Sequence, residues 1–278
     1  MVKKKSTYNR PFIRWAGGKQ KLIGEIKNRI PDSHNFNNYF EPFLGAGSLF
    51  LSLENVSATI SDINPQLINT YLQIQKDHFK VNLLIVKHSN KFKYNNNYYY
   101  TVREEYNRCK ERKGFEQAAR FIFLIHTNYN GMYRLNNRGF YNVPLGKTNP
   151  SFPSLSHLEE ISKKLTRTDI LVCDYKDTLS KVQANDFVYL DPPYPPYDWK
   201  NHQKQYTVNH FSKDDHKDLA EQASRLDNIN AKVLISYPDI AFVREVYSSW
   251  NIIKLDTVRS ISCKKERKRI PELIIKNY

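Results

Sequence analysis

Asp191-Pro192-Pro193-Tyr194 is the stretch whose residue types are best suited to chemistry, and it follows the apolar run Phe187-Val188-Tyr189-Leu190. Two prolines fix two φ angles and remove two N–H donors. The turn therefore presents a carboxylate, backbone carbonyls and an aromatic face. Acceptors so arranged can take both hydrogens of an exocyclic amino group while the ring holds a flat base. That is equipment for chemistry on a nucleobase amino group taken out of its stack. The same four residues also read as a surface turn after a strand, so the rest of the chain must decide.

A catalytic turn needs an element to deliver it and a second group to supply the reagent. The apolar run before Asp191 reads as a buried strand. Near the start, Phe12-Ile13-Arg14-Trp15-Ala16-Gly17-Gly18-Lys19 combines a Gly-Gly turn, open to close backbone approach, with an ammonium suited to a carboxylate. Leu22, Ile23, Ile26 and Ile30 then recur at helical spacing up to Pro31. Tyr39-Phe40-Glu41-Pro42-Phe43-Leu44-Gly45-Ala46-Gly47-Ser48, followed by Leu49-Phe50-Leu51, reads as strand, glycine turn and helix. A second strand, Ala58-Thr59-Ile60-Ser61, ends in Asp62, fifteen positions past Gly47. An acid at the end of the second strand of a Rossmann-like unit binds ribose hydroxyls; Asp62 also reads as a turn or cap residue. Position 50 is Phe where a dinucleotide fingerprint has its third glycine. A nucleoside without a pyrophosphate, such as S-adenosylmethionine, fits better than NAD. Asn64-Pro65 caps the next helix, with Pro at its first position.

Residues 71–157 differ in character. They hold fourteen Lys or Arg against five Asp or Glu, a net +9 out of +15 for the 278-residue chain. Aromatics interleave (Phe92, Tyr94, Tyr98, Tyr99, Tyr100, Tyr106), and the pattern is mostly helical, with 118–124 a buried helix. A polar loop follows, from Asn128 through Asn130, Met132 and Arg134 to a turn at Asn137-Arg138-Gly139, and leads into Asn142-Val143-Pro144 and Lys147. An Arg on such a hairpin can grip guanine bidentately and Lys can contact phosphate. A solvated basic helical bundle would carry the same charge.

Further on, Ile170-Leu171-Val172-Cys173 is a strand ending in Asp174-Tyr175, a position that meets an adenine ring. Residues 195–210 are polar and aromatic without period and read as a mobile loop over the site. Ser212 and Asp215 match a capping box. The basic run 264–269, between two final strands at 252–258 and 272–276, reads as either a DNA-facing hairpin tip or a solvated loop. The pI of about 9.5 points to a polyanionic partner. Three scattered cysteines form no CxxC and suit a reducing compartment, so the chain is expected to be cytoplasmic and to hold no metal. No apolar stretch is long enough to span a bilayer. Strands alternating with helices predict an α/β, mostly parallel sheet covered on both faces.

These blocks, in this order, resemble the Dam-type (alpha group, D12 class) N6-adenine-specific DNA methyltransferases, from about Phe12 to the C-terminus. Trp15-Ala16-Gly17-Gly18-Lys19 is similar to the family's opening motif, and 41–48 to its F-x-G-x-G loop. Asp62-Ile63-Asn64 is similar to its D-I-N, and Asp191-Pro192-Pro193-Tyr194 to its D-P-P-Y. Residues 129–134 with 142–144 resemble the stretch that reads GATC. The resemblance implies a Rossmann-like class I methyltransferase sheet, with catalytic segments 1–70 and 158–278 and an inserted, mostly helical target-recognition domain at 71–157. It implies S-adenosylmethionine contacts at Trp15, Ala16, Lys19, Glu41, Phe43, Gly45, Gly47, Asp62, Ile63, Asp174 and Asp191. It implies catalysis by Asp191, Pro192 and Tyr194. DNA contacts are implied at Arg14, Asn130, Met132, Arg134, Pro144 and Lys147, with double-stranded DNA as partner and a cognate restriction endonuclease encoded nearby. Lys147 stands where family members often have Arg, which keeps a phosphate contact but loses a bidentate one; flanking preferences, or a target other than GATC, would follow. Methylation of cytosine N4, RNA adenine or a protein amide, and a DNA-binding module with a vestigial cofactor fold, are the competing readings.

Overall fold

The structure is a computed structural model that describes residues 10–32, 35–109, 111, 113–147, 149–195, 211–260 and 269–278. Most of the loop 195–210 and of the basic run 264–269 lies outside the described residues. The chain is α/β. Seven strands form one sheet in the order β3-β2-β1-β4-β5-β7-β6: β1 is Tyr39–Glu41, β2 Ala58–Asp62, β3 Thr168–Val172, β4 Phe187–Leu190, β5 Lys232–Pro238, β6 Asn251–Ser260 and β7 Arg269–Lys276. β1 pairs in parallel with β2 and β4, and β4 with β5. β7 is antiparallel to β5 and β6. This is the Rossmann-like sheet expected of the sequence. Among the described residues, no helix is long and apolar enough to cross a membrane.

The chain divides into two compact units. One comprises Lys21–Leu44, Val56–Ser61 and the chain from Cys173 onward. β1 and β4 are buried at every position, and β4 reads as a continuous apolar run because a parallel strand covered on both faces has no solvent side to alternate with. The core here joins Val188 and Leu190 of β4 and Val233 and Ile235 of β5 to Leu219, Ala223 and Leu226 of helix α7 (Lys213–Asn228). α7 opens with the expected capping box between Ser212 and Asp215. Strand order reverses between β1 and β4, and such a switch point opens a crevice at the carboxyl ends of the strands. Glu41 ends β1 and Asp191 directly follows β4 there.

The other unit comprises the residues up to Gln20, Gly45–Asn55 and Asp62–Val172. α2 (Pro65–Tyr94), interrupted at Asp77, packs on α4 (Phe115–Thr127) and α5 (Leu155–Leu165). Tyr71, Ile74, Val81, Phe121, Phe123 and Leu158 fill the space between elements. α3 (Tyr98–Arg108) grips the segment after the hairpin turn: Tyr99 Oη donates to Val143 O at 2.8 Å, and Asn107 exchanges two hydrogen bonds with the Tyr141 backbone.

Two expected helices are shorter than their apolar spacing implied. α1 covers only Ile23–Lys27 and closes at Asn28, with Gly24 inside it and Pro31 just beyond. Residues Phe50–Ser52 form a single 3₁₀ turn. The chain has ten residues between Gly47 and the start of β2 at Ala58, too few for a full helix and a return.

Candidate active site and DNA-reading loop

In the first-described unit, β4 delivers Asp191 with Pro192 buried and Pro193 exposed behind it. Tyr194 is half-buried, and its hydroxyl donates to Glu272 Oε1 of β7. Glu41 is buried at the end of β1 and accepts the Tyr39 hydroxyl at 2.6 Å. Burial, helped by the Glu41 carboxylate, holds the Tyr39 phenol well above its ordinary pKa. Burial and the Asp191 carboxylate do the same to Tyr189, whose hydroxyl lies 2.6 Å from Ser236 Oγ. Glu41 and Glu272 thus each accept a hydrogen bond from a phenol, that of Tyr39 and that of Tyr194 respectively. Phe43 stacks on Tyr175 with centroids 5.3 Å apart and meets Phe211 edge-on at 5.8 Å. Asp174 caps the short helix α6 (Tyr175–Leu179), taking the Lys176 N–H at 3.0 Å.

In the other unit, Asp62 spends its two oxygens on backbone amides: Oδ2 takes the Gly45 N–H at 3.0 Å and Oδ1 the Asn64 N–H at 2.9 Å. Burial pushes its carboxyl above the usual range despite those two bonds. The cap of α2 is Asn64, which accepts from Gln66 and Leu67. Asp62 is therefore released from capping and ties the glycine loop to the end of β2. Gly45 (φ +49°) faces the Trp15 indole so closely that a Cβ there would lie 3.0 Å from Trp15 Cδ1. Gly47 also has positive φ, and the Tyr71 hydroxyl reaches Gly45 O at 3.4 Å. Gly17 (φ +86°) turns the chain so that Gly18 N–H meets Trp15 O at 3.1 Å. Ala16 is exposed, and Lys19 is buried with Nζ 3.5 Å from Gly17 O. Ile63, beside half-buried Asp62, is 58% exposed, an apolar surface at the end of the second strand.

The same unit builds the polar loop. Asn128 organises it, donating to Met132 O at 2.6 Å and to the Tyr141 hydroxyl at 2.5 Å. Asn130 and Gly131 both take positive φ, and a Cβ on Gly131 would lie 2.9 Å from Arg14 Cβ. Arg14, though more than a hundred residues away in the chain, sits against this loop and reaches His126 O at 3.4 Å. Arg134 is exposed, with Nε 2.9 Å from Asn142 Oδ1. Pro144 is exposed, and its carbonyl takes the Tyr129 N–H at 3.0 Å. Lys147 is exposed two residues beyond the Asn128↔Leu145 bridge. Tyr133 stacks on Trp15 at 5.8 Å, so one indole touches both the glycine loop and the polar loop.

Asn128, Tyr133 and Glu272 escaped the sequence reading. Asn128 stands as one of several asparagines in the polar loop, and Tyr133 only as part of the stretch 129–134, with no role of its own. Glu272 left a fainter mark: a lone carboxylate opening the apolar run Leu273-Ile274-Ile275.

The sequence model of the D12 class N6 adenine-specific DNA methyltransferases matches residues 15–261, nearly the whole chain. The chain belongs to that family. It is similar to the Type II methyltransferase M1.LlaDCHI of Lactococcus lactis subsp. cremoris, 32% identical over 284 residues that cover 100% of this chain and 99% of that protein. It is 34% identical over 289 residues to the Type II methyltransferase M.MjaIII of Methanocaldococcus jannaschii, covering 97% and 99%. It is 34% identical over 272 residues to the DNA adenine methylase of Escherichia coli (strain K12), covering 96% and 94%. The chain is an adenine-specific DNA methyltransferase of the D12 class, with DNA as its substrate class and a methyl donor as its second requirement.

Proposed function

We propose that this D12-class enzyme methylates the N6 amino group of adenine within GATC in double-stranded DNA, in the cytoplasm, using S-adenosylmethionine. The observation that carries the reading is Asp191-Pro192-Pro193-Tyr194 at the carboxyl end of β4, beside the point where strand order reverses. The donor set fits S-adenosylmethionine. Lys19 suits its carboxylate, Asp62 its ribose hydroxyls, and exposed Ile63 its adenine. Trp15, Ala16, Glu41, Phe43, Gly45, Gly47 and Asp174 complete the binding residues. S-adenosylmethionine supplies the methyl group as a sulfonium electrophile.

The adenine amino lone pair is delocalised into the ring, which makes the group a weak nucleophile. Asp191 Oδ and the Pro192 carbonyl accept the two amino hydrogens, which localises density on nitrogen as it takes the methyl group. Asp191 helps draw off the proton that the product no longer holds. Tyr194 stacks on the flipped base. The protein contributes position and electrostatics, with no covalent enzyme intermediate. Residues 71–157 form the target-recognition domain: Arg134 reads guanine, Arg14, Asn130, Met132 and Pro144 shape the base contacts, and Lys147 holds phosphate. The net charge of +15 supports the phosphate contribution. Two relatives bear type II names, which supports a second reading: a different adenine-containing site, paired with a restriction endonuclease encoded nearby.

The test is methyl transfer from tritiated S-adenosylmethionine to a duplex with one GATC and to a scrambled duplex of the same composition. Label on the GATC duplex alone, recovered as N6-methyladenine, is expected. Equal label on both would discard the role of Arg134, and label on neither would discard GATC.

A further inference from the structure

β7 is apolar at Leu273, Ile274 and Ile275, yet it carries one carboxylate that is 1% exposed, Glu272. A buried carboxylate is strongly disfavoured unless hydrogen-bonded. Glu272 lies opposite Pro238 in the β5–β7 register, and its Oε1 accepts the hydroxyl of Tyr194. The Tyr194 ring is also flanked by Tyr237, with centroids 6.3 Å apart and planes 35° apart. Tyr237 is fully buried, and its own hydroxyl lies 2.9 Å from His216 Nδ1. The last residue of the turn is thus held at its far end by a strand 78 residues later in the chain, and along one side by a fixed phenol.

A tyrosine tethered only at Cα can swing, because its second side-chain torsion is broad. Anchoring the hydroxyl removes that freedom at the atom farthest from the backbone. We infer that Glu272 is a positioning residue for methyl transfer: it sets the plane of Tyr194, against which the target adenine stacks while Asp191 and Pro192 engage its amino group. The inference rests on the function proposed above. Misplacement of a reacting group by about an ångström is enough to lower a rate by orders of magnitude, so the anchor acts on turnover.

The test uses the full-length protein and the duplex that the wild-type enzyme labels, with a second copy carrying 2-aminopurine at the target adenine. Tyr194→Phe keeps the ring and removes only the anchored hydroxyl. It is expected to lower kcat about tenfold and to leave S-adenosylmethionine affinity unchanged. The 2-aminopurine should be brighter than in the wild-type complex, because a loosened ring stacks and quenches less. Glu272→Gln keeps an acceptor and is expected to fall between wild type and Tyr194→Phe. The double variant should match Tyr194→Phe within about twofold, since both changes remove one contact. Tyr194→Phe at wild-type kcat with unchanged fluorescence would overturn the inference, as would a double variant whose losses multiply. Should Glu272→Gln fail to fold, Tyr194→Phe decides alone. No label with wild-type enzyme on any adenine-containing duplex would refute the proposed function itself; a labelling wild type with an indifferent Tyr194→Phe refutes only the anchor.

Discussion

Replacing Asp62 by Asn separates its observed job, holding the glycine loop, from its proposed one, holding the methyl donor. The carboxylate takes the Gly45 and Asn64 amides at 3.0 and 2.9 Å. An Asn carbonyl can serve one of them, while its NH₂ faces the other N–H and leaves that donor unpaired. A buried donor left without a partner costs about 1–3 kcal/mol. Relief of carboxylate burial offsets part of this, because burial already pushes the Asp62 carboxyl upward. The expected net destabilisation at pH 7 is therefore about 1 kcal/mol, at the low end of that range. Affinity for S-adenosylmethionine should fall further, by about tenfold to a hundredfold, since a charged acceptor for ribose hydroxyls is worth about 1.5–3 kcal/mol.

The sign with pH follows from the direction of the shift. A carboxyl whose native pKa is raised holds its proton more tightly when folded. Its stabilisation is complete below the unfolded value of about 4 and is lost as pH rises through the native value. The stability advantage of wild type over Asp62→Asn should accordingly shrink from pH 4 toward pH 7. The assay is urea unfolding of both proteins at several pH values, with the difference taken so that other groups cancel, plus calorimetric titration with S-adenosylmethionine. Equal melting and equal affinity at pH 7, or a stability gap that widens with pH, would refute the reasoning.

Asp191→Ala should retain its unfolding midpoint and DNA affinity while losing turnover by at least about two to three decades; single-turnover methylation beside a DNA-binding titration measures both, and near-wild-type rates would remove Asp191 from the chemistry. Gly45→Ala places a Cβ 3.0 Å from the Trp15 ring at φ +49°, so it should destabilise by about 1–2 kcal/mol and shift tryptophan fluorescence; an unchanged spectrum and melt would show that the loop yields freely. Arg134→Ala should reduce discrimination of the guanine that it is proposed to read by about 1–3 kcal/mol while leaving S-adenosylmethionine affinity alone, measured as methylation rates on cognate and base-substituted duplexes. His88 is held down to about 4 by burial first and by the Arg120 charge second. Its native state disfavours the proton, so stability should be full above about pH 6.5 and fall as pH drops toward 4. That slope should vanish in His88→Gln, as read by unfolding midpoints across that range.

The elements that carry the site are largely written in local sequence. The continuous apolar run at 187–190 announces a strand buried on both faces. Asn64-Pro65 announces the start of α2, and Ser212 with Asp215 the start of α7, because a cap needs only residues three positions apart. The type and order of Asp191-Pro192-Pro193-Tyr194 are likewise properties of the chain alone. Short helices are less legible: apolar spacing at 22–30 reports which side is buried, while the backbone at Gly24 and the cap at Asn28 decide where the helix stops.

Partners across the chain belong to the tertiary structure. Asp62 meets Gly45 because β2 ends where the glycine loop returns, and sequence could equally have spent that carboxylate on a cap. Arg14 lies against Gly131, and Trp15 between Gly45 and Tyr133, through packing that no period encodes. Tyr194 reaches Glu272 only because β7 inserts antiparallel beside β5. Hydrophobic periodicity tells a residue whether to be buried; it carries no information about what it will be buried against, since that is fixed by strand order and by which elements share a core.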